Sequence, residues 1–559
     1  MLLLFSILWV TAYLFMLAVA NSSEQNIARG LNDIMQELDP LTHFQSTPKN
    51  IMFGANMGGS SHHSWVMRVL DELDRRGHKI TYATTKNNLR FSRQRPYIKG
   101  ISIGDTSVAV NHSMYHTMTP MPFDAIAGIV DLTASNYASY YHAFRQVIES
   151  QSIDVVLCDH ISFACIHAAK ETKRPVIITM MINESPEAEL AYINKSPFTM
   201  MESNTEHLSY SYRFYERFIW PIQLLWHAGP NMARYLYMLH SLGLGLNPKD
   251  GWQDAVKLVN NLYGFDDPRP MGPLVELVGP IYNDHFDPLT PELASFLDTH
   301  KSVVYVAFGQ HTQSKDHQES TRVLQMLLNN YEAGVLDGFI WSATKGTPLP
   351  DHVTSASGTH YLLNSTKFTD VGKVVSWAPQ MAILRHPSVI SFVSHAGIMS
   401  LFEAMYQGKR ILAYPFMTDQ FANAKLIERT GAGLWLTHTD DRLDAHRMTE
   451  KLRRVVEDKE GHMQKVVDKY QALVQIHGRN SVDRAANIVE EVVYTADSEG
   501  HLPHRRDIAR NLSFFKRNNY DLYLGLFALI TTTFIFTRYL VQLFIQQQRS
   551  TSDIKVKKQ

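Results

Sequence analysis

Short runs of β-branched and other apolar residues alternate with helix-like patterns along two long stretches of the chain. The first stretch opens with the apolar run 50–53, followed by a glycine-rich turn and an amphipathic helix pattern that ends near Gly77. The second opens with the apolar run 302–308, and further short apolar runs follow it. Because this alternation is typical of parallel sheets covered by helices, we predict an α/β chain. It has two doubly wound, Rossmann-like lobes that face a cleft.

Length and charge narrow the class of protein. The chain has 559 residues, which is too long for one compact domain and sufficient for two. Its 53 basic and 54 acidic residues give a formal net charge of −1, so no basic field indicates a nucleic-acid partner. Two cysteines are too few for a disulfide scaffold or for a zinc module with four cysteine ligands.

Both ends of the chain carry apolar segments. The N-terminal segment has no charged side chain, and Ala18 and Ala20 form the small-x-small pattern of a signal-peptidase site. We predict a signal peptide over residues 1–20; since no Lys or Arg precedes the apolar run, an uncleaved anchor is the alternative. We also predict a transmembrane helix over residues 521–545. Despite Arg538, it is long enough to cross the roughly 30 Å hydrocarbon core of a bilayer.

These segments predict a location. A signal peptide and one late span place the body of the chain outside the cytosol, as a single-pass type I membrane protein. Lys555 and Lys557 resemble the K-x-K-x-x retrieval signal of endoplasmic-reticulum membrane proteins, with an ordinary basic tail as the alternative. The sequence thus predicts an endoplasmic-reticulum membrane protein with a lumenal body. Sequons that fit this location begin at Asn21, Asn111, Asn183, Asn194, Asn364 and Asn511.

A segment of the second stretch suits a phosphorylated ligand. A predicted strand runs into His395-Ala-Gly397, and a helix begins near residue 398. A helix N-terminus offers free N–H donors and a partial positive charge, Gly397 allows close approach of phosphate, and His395 and Ser400 can donate hydrogen bonds. Trp377 offers a flat face for a base, and Glu403 can accept both hydroxyls of a ribose. Asp419 and Gln420, at the next helix start, can bind the hydroxyls of a sugar.

The segment is similar to the signature of the glycosyltransferase family 1 UDP-glycosyltransferases. Matching residues stand at more than a dozen fixed spacings between Trp377 and Ala424, and the similarity in element order covers residues 50–490. The resemblance implies the GT-B fold, with the UDP-sugar donor in the C-terminal lobe and the acceptor in the N-terminal lobe. It also implies the donor-binding residues, which are Trp377, Gln380, His395, Gly397, Ser400, Glu403, Asp419 and Gln420.

Two positions depart from the pattern of this family. Gly309 is followed by Gln310, where many members have Ser or Thr that contacts phosphate. Met399 stands where plant members have Asn, a residue that contacts sugar or phosphate.

Transfer of a sugar to an alcohol needs a base, because an alcohol is a poor nucleophile near neutral pH. A turn between the first predicted strand and helix contains two adjacent histidines. Family members carry a histidine nine residues before an Asp-Glu-Leu segment, and counting back from Asp71 selects His62 rather than His63. Asp159 ends an apolar strand and is the expected partner that orients His62 and stabilises its protonated form.

The chain offers little to a metal ion. It contains no Asp-x-Asp triplet, so we expect no metal; the UDP-sugar is a co-substrate and no cofactor is predicted. Cys158, His160, Cys165 and His167 have the wrong spacing for a zinc finger. A Cys158–Cys165 disulfide is permitted in an oxidising compartment, but nothing in the sequence supports it.

We therefore predict an inverting, metal-independent UDP-glycosyltransferase. It transfers a hexose, with glucose favoured, to a hydroxyl of a small lipophilic acceptor such as a sterol, another lipid or a secondary metabolite. The alternative is a catalytically inactive member that serves as a membrane scaffold or binding partner. The acceptor, the choice between glucose and glucuronate, and a homo-oligomeric state stay open. The predicted organisation is a signal peptide (1–20), an acceptor-binding lobe (21–278), a linker (279–300), a UDP-sugar-binding lobe (301–455), C-terminal helices with a juxtamembrane segment (456–520), a transmembrane helix (521–545) and a cytosolic tail (546–559).

Overall fold

The computed structural model describes residues 47–105, 123–182, 192, 204–245, 250–282, 286–310, 312–417, 419–437, 439–506 and 508–556. Three kinds of predicted feature lie outside these residues: the signal peptide, the sequons at Asn21, Asn111, Asn183 and Asn194, and Lys557 of the retrieval signal.

The N-terminal lobe is built on a seven-stranded parallel sheet in the order β3-β2-β1-β4-β5-β6-β7. Alternate side chains enter different cores: Ile51 and Phe53 face one, and Met52 faces the other. The strands are therefore apolar on both sides, as is typical of parallel sheets. They are β1 (Asn50–Ala55), β2 (Lys79–Thr84), β3 (Ile98–Ser102), β4 (Val155–Asp159), β5 (Val176–Met180), β6 (Val256–Val259) and β7 (Val275–Leu277).

The helices of this lobe include one long helical unit after the fifth strand. In that unit α5 continues through a π-helical stretch, Tyr215–Ile219, into α6. The helices are α1 (Ser60–Arg75), α2 (Phe123–Ser135), α3 (Tyr137–Ser150), α4 (Phe163–Glu171), α5 (Tyr210–Phe214), α6 (Trp220–Ser241) and α7 (Asp250–Gln253), with a 3₁₀ turn at Asn88–Ser92.

The C-terminal lobe is built on a six-stranded parallel sheet in the order β12-β9-β8-β13-β14-β15. An antiparallel hairpin, β10-β11, lies outside this sheet. The strands are β8 (Val303–Ala307), β9 (Gly338–Ser342), β10 (His352–Thr354), β11 (His360–Leu362), β12 (Gly372–Val375), β13 (Val389–Ser394), β14 (Arg410–Ala413) and β15 (Gly433–Trp435). The helices are α8 (Pro291–Thr299), α9 (His317–Glu332), α10 (Thr366–Thr369), α11 (Gln380–Arg385), α12 (Ile398–Tyr406), α13 (Gln420–Thr430), α14 (Ala445–Glu457) and α15 (His462–Gly478), with a 3₁₀ turn at Asp441–Leu443.

The strand order places a crevice in each lobe. In the N-terminal sheet the chain runs outward from β1 to β3 and then restarts on the other side of β1 with β4. In the C-terminal sheet it runs outward from β8 to β12 and restarts beside β8 with β13. Ligands of doubly wound sheets bind at such reversal points, beyond the carboxyl ends of the two central strands.

The last part of the chain returns to the N-terminal lobe. Helix α16 (Ser481–Thr495) packs on α1, where Arg76 Nη1 donates to Glu490 Oε2 at 2.6 Å and His78 Nε2 lies 3.0 Å from Glu490 Oε1. Two 3₁₀ turns (Pro503–Arg505 and Ile508–Asn511), α17 (Phe514–Arg517) and α18 (Tyr520–Val556) follow. Among the described residues, one helical segment, Tyr520–Gln548, is long and apolar enough to cross a membrane.

The predicted two-lobed α/β fold is confirmed, with differences at the edges of elements. Strand β12 ends at Val375, so Trp377 lies beyond the strand. The second half of the predicted linker is helix α8, which buries Leu293 and Leu297 in the core. Strands β3, β6, β7 and β15 and the β10-β11 hairpin were not predicted, because they are short and their apolar runs are weak.

Candidate active site

His62 and Asp159 meet at the reversal point of the N-terminal sheet. His62 lies in the first turn of α1, just after β1, and Asp159 is the last residue of the neighbouring strand β4. The His62 Nδ1–H donates to Asp159 Oδ2 at 2.9 Å. The carboxylate is buried, whereas the His62 side chain is 19% exposed. This is the geometry of a histidine oriented by a buried carboxylate.

The turn before His62 requires glycine. Gly58 has φ +94°, and a Cβ at this position would stand 2.6 Å from His62 Cγ. The His62 backbone N–H donates to Gly59 O at 3.0 Å, which closes the turn. A side chain at Gly58 would therefore displace the imidazole from Asp159.

The two groups shift each other's pKa in opposite directions. Burial lowers the pKa of His62, but the Asp159 charge and hydrogen bond outweigh it, so the net pKa is raised above 6.5. Burial by itself would raise the pKa of Asp159, but the attraction of His62 and His160 holds it well below its usual range. Asp159 is therefore ionised at neutral pH, and it favours the protonated form of His62.

His63 and Asp154 lie away from this pair. His63 is fully buried, its Nδ1 lies 2.8 Å from the Tyr82 hydroxyl, and its ring stacks on Phe91. Burial lowers the pKa of His63 to about 4, so it is neutral. Asp154 lies at the opposite end of β4, where its Oδ2 accepts from Asn50 N. Although the sequence suggested an extended turn, both histidines belong to helix α1, whose rotation per residue separates their directions.

A second imidazole and a disulfide flank Asp159. The ring of His160 is stacked parallel to that of His62, with centroids 5.2 Å apart and planes 5° apart. Cys158 and Cys165 form a disulfide, which the sequence left unsupported. It closes the turn from β4 to α4 that carries Asp159 and His160.

The reversal point of the C-terminal sheet holds His395 between two glycines. A Cβ at Gly309 would stand 2.8 Å from His395 Nε2, and a Cβ at Gly397 would stand 2.5 Å from it. Ala396 has φ +64°, a left-handed conformation, and its N–H donates to Ser394 Oγ at 3.2 Å. Helix α12 begins at Ile398, so its N-terminus opens beside His395. The imidazole, the glycines and the helix N-terminus together form a surface that suits an anion.

Gln380, Ser400 and Glu403 are connected on one side of this surface. The Gln380 amide donates to Ser400 Oγ at 3.1 Å and to Glu403 Oε2 at 2.5 Å. Burial raises the pKa of Glu403 to about 7, although the hydrogen bond from Gln380 lowers it. Glu403 is thus a carboxyl group that gains a proton close to neutral pH.

Trp377, Asp419 and Gln420 are the remaining predicted donor-binding residues. Trp377 is 58% exposed, so its ring has a face free for a ligand. Asp419 precedes α13, and its Oδ2 accepts from Asn423 Nδ2 at 2.9 Å. Gln420 is buried, and its Oε1 accepts from the N–H groups of Phe416 and Met417. Its side-chain oxygen therefore holds the loop that precedes α13.

The two crevices face each other. Gln310, which follows Gly309 in the C-terminal lobe, donates from Nε2 to Ser60 Oγ at the start of α1, at 2.6 Å. The charge of Asp419 also raises the pKa of His62, which lies in the other lobe. The first turn of α1, which contains His62, thus lies close to Gln310 and Asp419 of the C-terminal lobe.

Two features of this cleft were not predicted from the sequence. His160 was considered only as a zinc ligand, and its position beside Asp159 was the available signal. The bond between Gln310 and Ser60 depends on how the lobes meet, and no local pattern reports it.

Three side chains here have atoms spaced closely enough to be considered for a metal: His62, Asp159 and His160. Because the two rings are stacked in parallel, their in-plane lone pairs run side by side and do not converge on one point. The arrangement therefore fits the hydrogen bond from His62 to Asp159 better than metal coordination.

The chain has the GT-B fold: it consists of two Rossmann-like lobes with facing reversal points. One reversal point holds a histidine–carboxylate pair, and the other holds glycines beside a helix N-terminus. The family model described as "UDP-glucoronosyl and UDP-glucosyl transferase" matches residues 246–552. The chain is 30% identical over 503 residues to a UDP-glycosyltransferase of Talaromyces amestolkiae, covering 83% of this chain and 92% of the relative. The chain belongs to this family, and it is a UDP-sugar-dependent glycosyltransferase.

Solved structures agree in fold. The glycotransferase of kitacinnamycin has a TM-score of 0.57 and 16% sequence identity over 80% of this chain and 99% of its own. UGT71G1 of Medicago truncatula, solved in complex with UDP-glucose, has a TM-score of 0.54 and 18% identity over 80% of this chain and 99% of its own. At this identity the likeness concerns the fold alone.

Proposed function

We propose that the protein transfers a hexose, with glucose favoured, from its UDP-sugar to a hydroxyl of a small lipophilic acceptor, with inversion at the anomeric carbon. The observation that carries the proposal is the hydrogen bond from His62 to the buried Asp159, placed opposite the donor crevice. One lobe thus supplies a base, and the other supplies a binding surface for the sugar nucleotide.

In this proposal His62 Nε2 removes the proton of the acceptor hydroxyl. The acceptor oxygen attacks the anomeric carbon, the bond from that carbon to the UDP oxygen breaks, and UDP leaves with the electron pair. Asp159 stabilises the imidazolium that His62 becomes, because their charges are opposite and 2.9 Å separates the bonded atoms. A single displacement from the face opposite UDP inverts the configuration.

The donor residues divide by the part of the ligand that they contact. Trp377 stacks on the base, Gln380 bonds near the base or ribose, and Glu403 accepts the ribose hydroxyls. His395, Gly397 and Ser400 hold the diphosphate at the N-terminus of α12. Asp419 and the amide N–H of Gln420 bind the sugar.

We expect the reaction to proceed without a divalent metal. The leaving diphosphate is stabilised by the α12 N-terminus, His395 and Ser400, which supply positive potential and donors. Activity of the full-length protein should therefore survive treatment with a chelator. Loss of activity that a divalent ion restores would contradict this expectation.

The proposed sugar and acceptor are inferred from the side chains of the predicted sugar site and from the apolar C-terminal segment. Asp419 and Gln420 suit the hydroxyls of neutral glucose, whereas a glucuronate carboxylate needs a nearby cation. UGT71G1, which shares the fold, was solved with UDP-glucose. The apolar C-terminal segment supports an acceptor that partitions into lipid.

We further propose that the protein is a single-pass type I protein of the endoplasmic-reticulum membrane with its catalytic body in the lumen. The segment Tyr520–Gln548 supports a membrane span, and the Cys158–Cys165 disulfide supports an oxidising compartment. Replacing Lys555 and Lys557 with Ser should release the full-length protein from the endoplasmic reticulum. Unchanged residence there would contradict the retrieval signal.

The test of the function is a donor and acceptor screen with the full-length protein in detergent. UDP-glucose, UDP-glucuronate and UDP-galactose are each offered with a lipid library, and products are read by mass spectrometry. We expect product with UDP-glucose, and NMR of the product should show the inverted anomeric linkage. Bound UDP with neither product nor donor hydrolysis would instead indicate a catalytically inactive family member.

A further inference from the structure

His160 is an imidazole with a 12% exposed side chain that lies beside the proposed base. Its ring lies stacked on that of His62, with the centroids 5.2 Å apart and the planes 5° apart. Its Nδ1 is 3.6 Å from Asp159 Oδ2, which is beyond hydrogen-bond distance, and this buried nitrogen has no hydrogen-bond partner. The proposed reaction gives His160 no role, although it lies in the same cleft.

We propose that His160 is a positioning residue, whose ring covers one face of His62 and holds the base in the plane in which Nδ1 meets Asp159. The inference rests on the proposed function, in which His62 is the base. His160 acts through His62 and does not itself exchange a proton with the substrate.

One hydrogen bond leaves the His62 ring a degree of freedom. The bond from Nδ1 to Asp159 fixes one atom of the ring, but the ring can still tilt about that contact. A flat neighbour in parallel contact opposes the tilt, because tilting would open a gap or a clash against it. The Nε2 atom is then held on a constant line toward the acceptor, which is the orientation that proton transfer needs.

The stack also suits the charged state of the base. When His62 takes the proton of the acceptor, its ring becomes a cation that lies against the face of His160. A cation against an aromatic face is attracted by the ring electrons. The His160 ring thus favours the state that the reaction creates, in the same direction as Asp159.

The backbone holds His160 in place. Its N–H donates to Thr179 O on β5 at 3.1 Å, and the next N–H, of Ile161, donates to Asp159 Oδ1 at 3.2 Å. Ser162 Oγ in turn accepts from Asn56 N, in the turn that precedes α1. Together with the Cys158–Cys165 disulfide, these bonds make the β4–α4 turn a rigid unit that presents the carboxylate and the second ring together.

Three substitutions of His160 in the full-length protein separate the ring from the nitrogen. His160→Phe keeps a flat face and loses Nδ1, His160→Asn keeps a polar group near Asp159 and loses the ring, and His160→Ala loses both. We expect His160→Ala to lower kcat by roughly 10- to 100-fold, the range of a small misplacement of a catalytic group. KM for the UDP-sugar and the Kd for UDP should not change, because the donor lies on the other lobe.

The comparison of His160→Phe with His160→Asn tests whether the ring or the nitrogen of His160 is required. His160→Phe should restore most of the kcat that His160→Ala loses, and His160→Asn should not. Wild-type kcat in His160→Ala, or restoration by Asn but not by Phe, would overturn the inference. If His160→Ala fails to fold, the comparison of Phe with Asn still gives the answer.

His62→Ala is measured in parallel to separate this inference from the proposed function. An active His62→Ala enzyme would show that His62 is not the base, and both proposals would fall. An inactive His62→Ala enzyme together with wild-type kcat in all three His160 variants would overturn the positioning role alone.

Discussion

The two lobes share a sheet topology, but they differ in what they place at its reversal point. Between β1 and β4 the N-terminal lobe has an ionised carboxylate, 2% exposed, bonded to an imidazole. Between β8 and β13 the C-terminal lobe has glycines packed against His395 and an open helix N-terminus. One lobe presents side chains that can exchange a proton, and the other presents small residues and backbone N–H groups.

Under the proposed function, one backbone arrangement serves two kinds of chemistry. A proton-transfer pair needs one buried charge and one exposed nitrogen, so large side chains fill the reversal point. A diphosphate needs N–H donors and positive potential, and the glycines at 309 and 397 leave room for the His395 ring beside the N-terminus of α12. Because the functions lie on separate lobes, substitutions should affect rate and donor affinity independently.

The largest difference between the effect on rate and the effect on donor affinity is expected for His62→Ala. Loss of a general base should lower kcat by roughly 10²- to 10⁴-fold, while the Kd for UDP stays unchanged. Stopped assays give kcat, and calorimetry gives the Kd.

The matched control is His63→Ala, one residue along α1. It removes a ring packed on Phe91, so it should lower stability and leave the kcat of the folded fraction within a few fold. A dead His63→Ala enzyme beside an active His62→Ala enzyme would reverse the assignment.

The second-largest effect on kcat is expected for Asp159→Asn, which should also change the pH dependence of the reaction. Asp159 raises the pKa of His62 above 6.5 against the effect of burial, with a smaller contribution from Asp419. Since the base must be unprotonated, kcat/KM for the acceptor, measured at saturating donor, should fall in the wild type as pH drops through that raised pKa. In Asp159→Asn the burial remains and the charge is lost, so this acid limb should move to lower pH while kcat falls.

The other groups that face His62 bear on this profile in defined ways. His63, the neighbour on α1, is neutral because burial lowers its pKa to about 4. His160 stacks on the ring, and Asp419 acts on His62 electrostatically from the other lobe. An acid limb that stays in place in Asp159→Asn would mean that the profile reports another group.

Much of the fold could be predicted because the central strands are long apolar runs. β1, β4, β8 and β13 are buried on both sides, so they stand out in the sequence. The edge strands β3 and β7 pair on one side only, and polar residues interrupt them, so no period identifies them. The return of α16 to the N-terminal lobe depends on contacts such as Arg76 with Glu490, far apart in the chain.

For the site, the sequence predicted residues that stand at fixed spacings in one motif. It could not predict contacts that depend on tertiary structure. The Cys158–Cys165 disulfide forms because α4 folds back after β4 and brings the Cα atoms to 5.9 Å. The bond from Gln310 to Ser60 forms because the two lobes approach there. Neither distance is visible in local patterns.

On the donor side, Trp377→Ala should weaken the binding of UDP and spare the chemistry. The exposed indole offers a face for uracil, and a base–aromatic stack is worth about 1–3 kcal/mol. The variant should therefore raise the Kd for UDP by roughly 5- to 150-fold. At saturating donor its kcat should stay near the wild-type value. An unchanged Kd in the folded variant would remove Trp377 from the site.

The disulfide belongs to the N-terminal lobe alone, so its loss should act there. Replacing Cys158 and Cys165 with Ala removes a cross-link over a sequence separation of 7, which is worth about 2 kcal/mol of unfolding free energy in a chain-entropy account. Thermal unfolding should shift to lower temperature, while UDP still protects the C-terminal lobe. A loss of UDP affinity in this variant, along with the loss of stability, would mean that the lobes do not behave independently.

The smallest expected effect is a pH dependence confined to the donor lobe. Burial raises the pKa of Glu403 to about 7, and the ionised carboxylate is the form that accepts two ribose hydroxyls. The affinity for UDP should therefore fall as pH drops from 8 to 6, by at most about tenfold, because protonation removes an acceptor. Glu403→Gln should bind UDP more weakly at pH 8 and lose this part of the pH dependence.

The phosphates of UDP titrate in both proteins, so the difference between the two calorimetric profiles isolates Glu403. Parallel profiles would show that the ribose does not meet an ionised Glu403. The acid limb of kcat/KM assigned to His62 would be unaffected by that result.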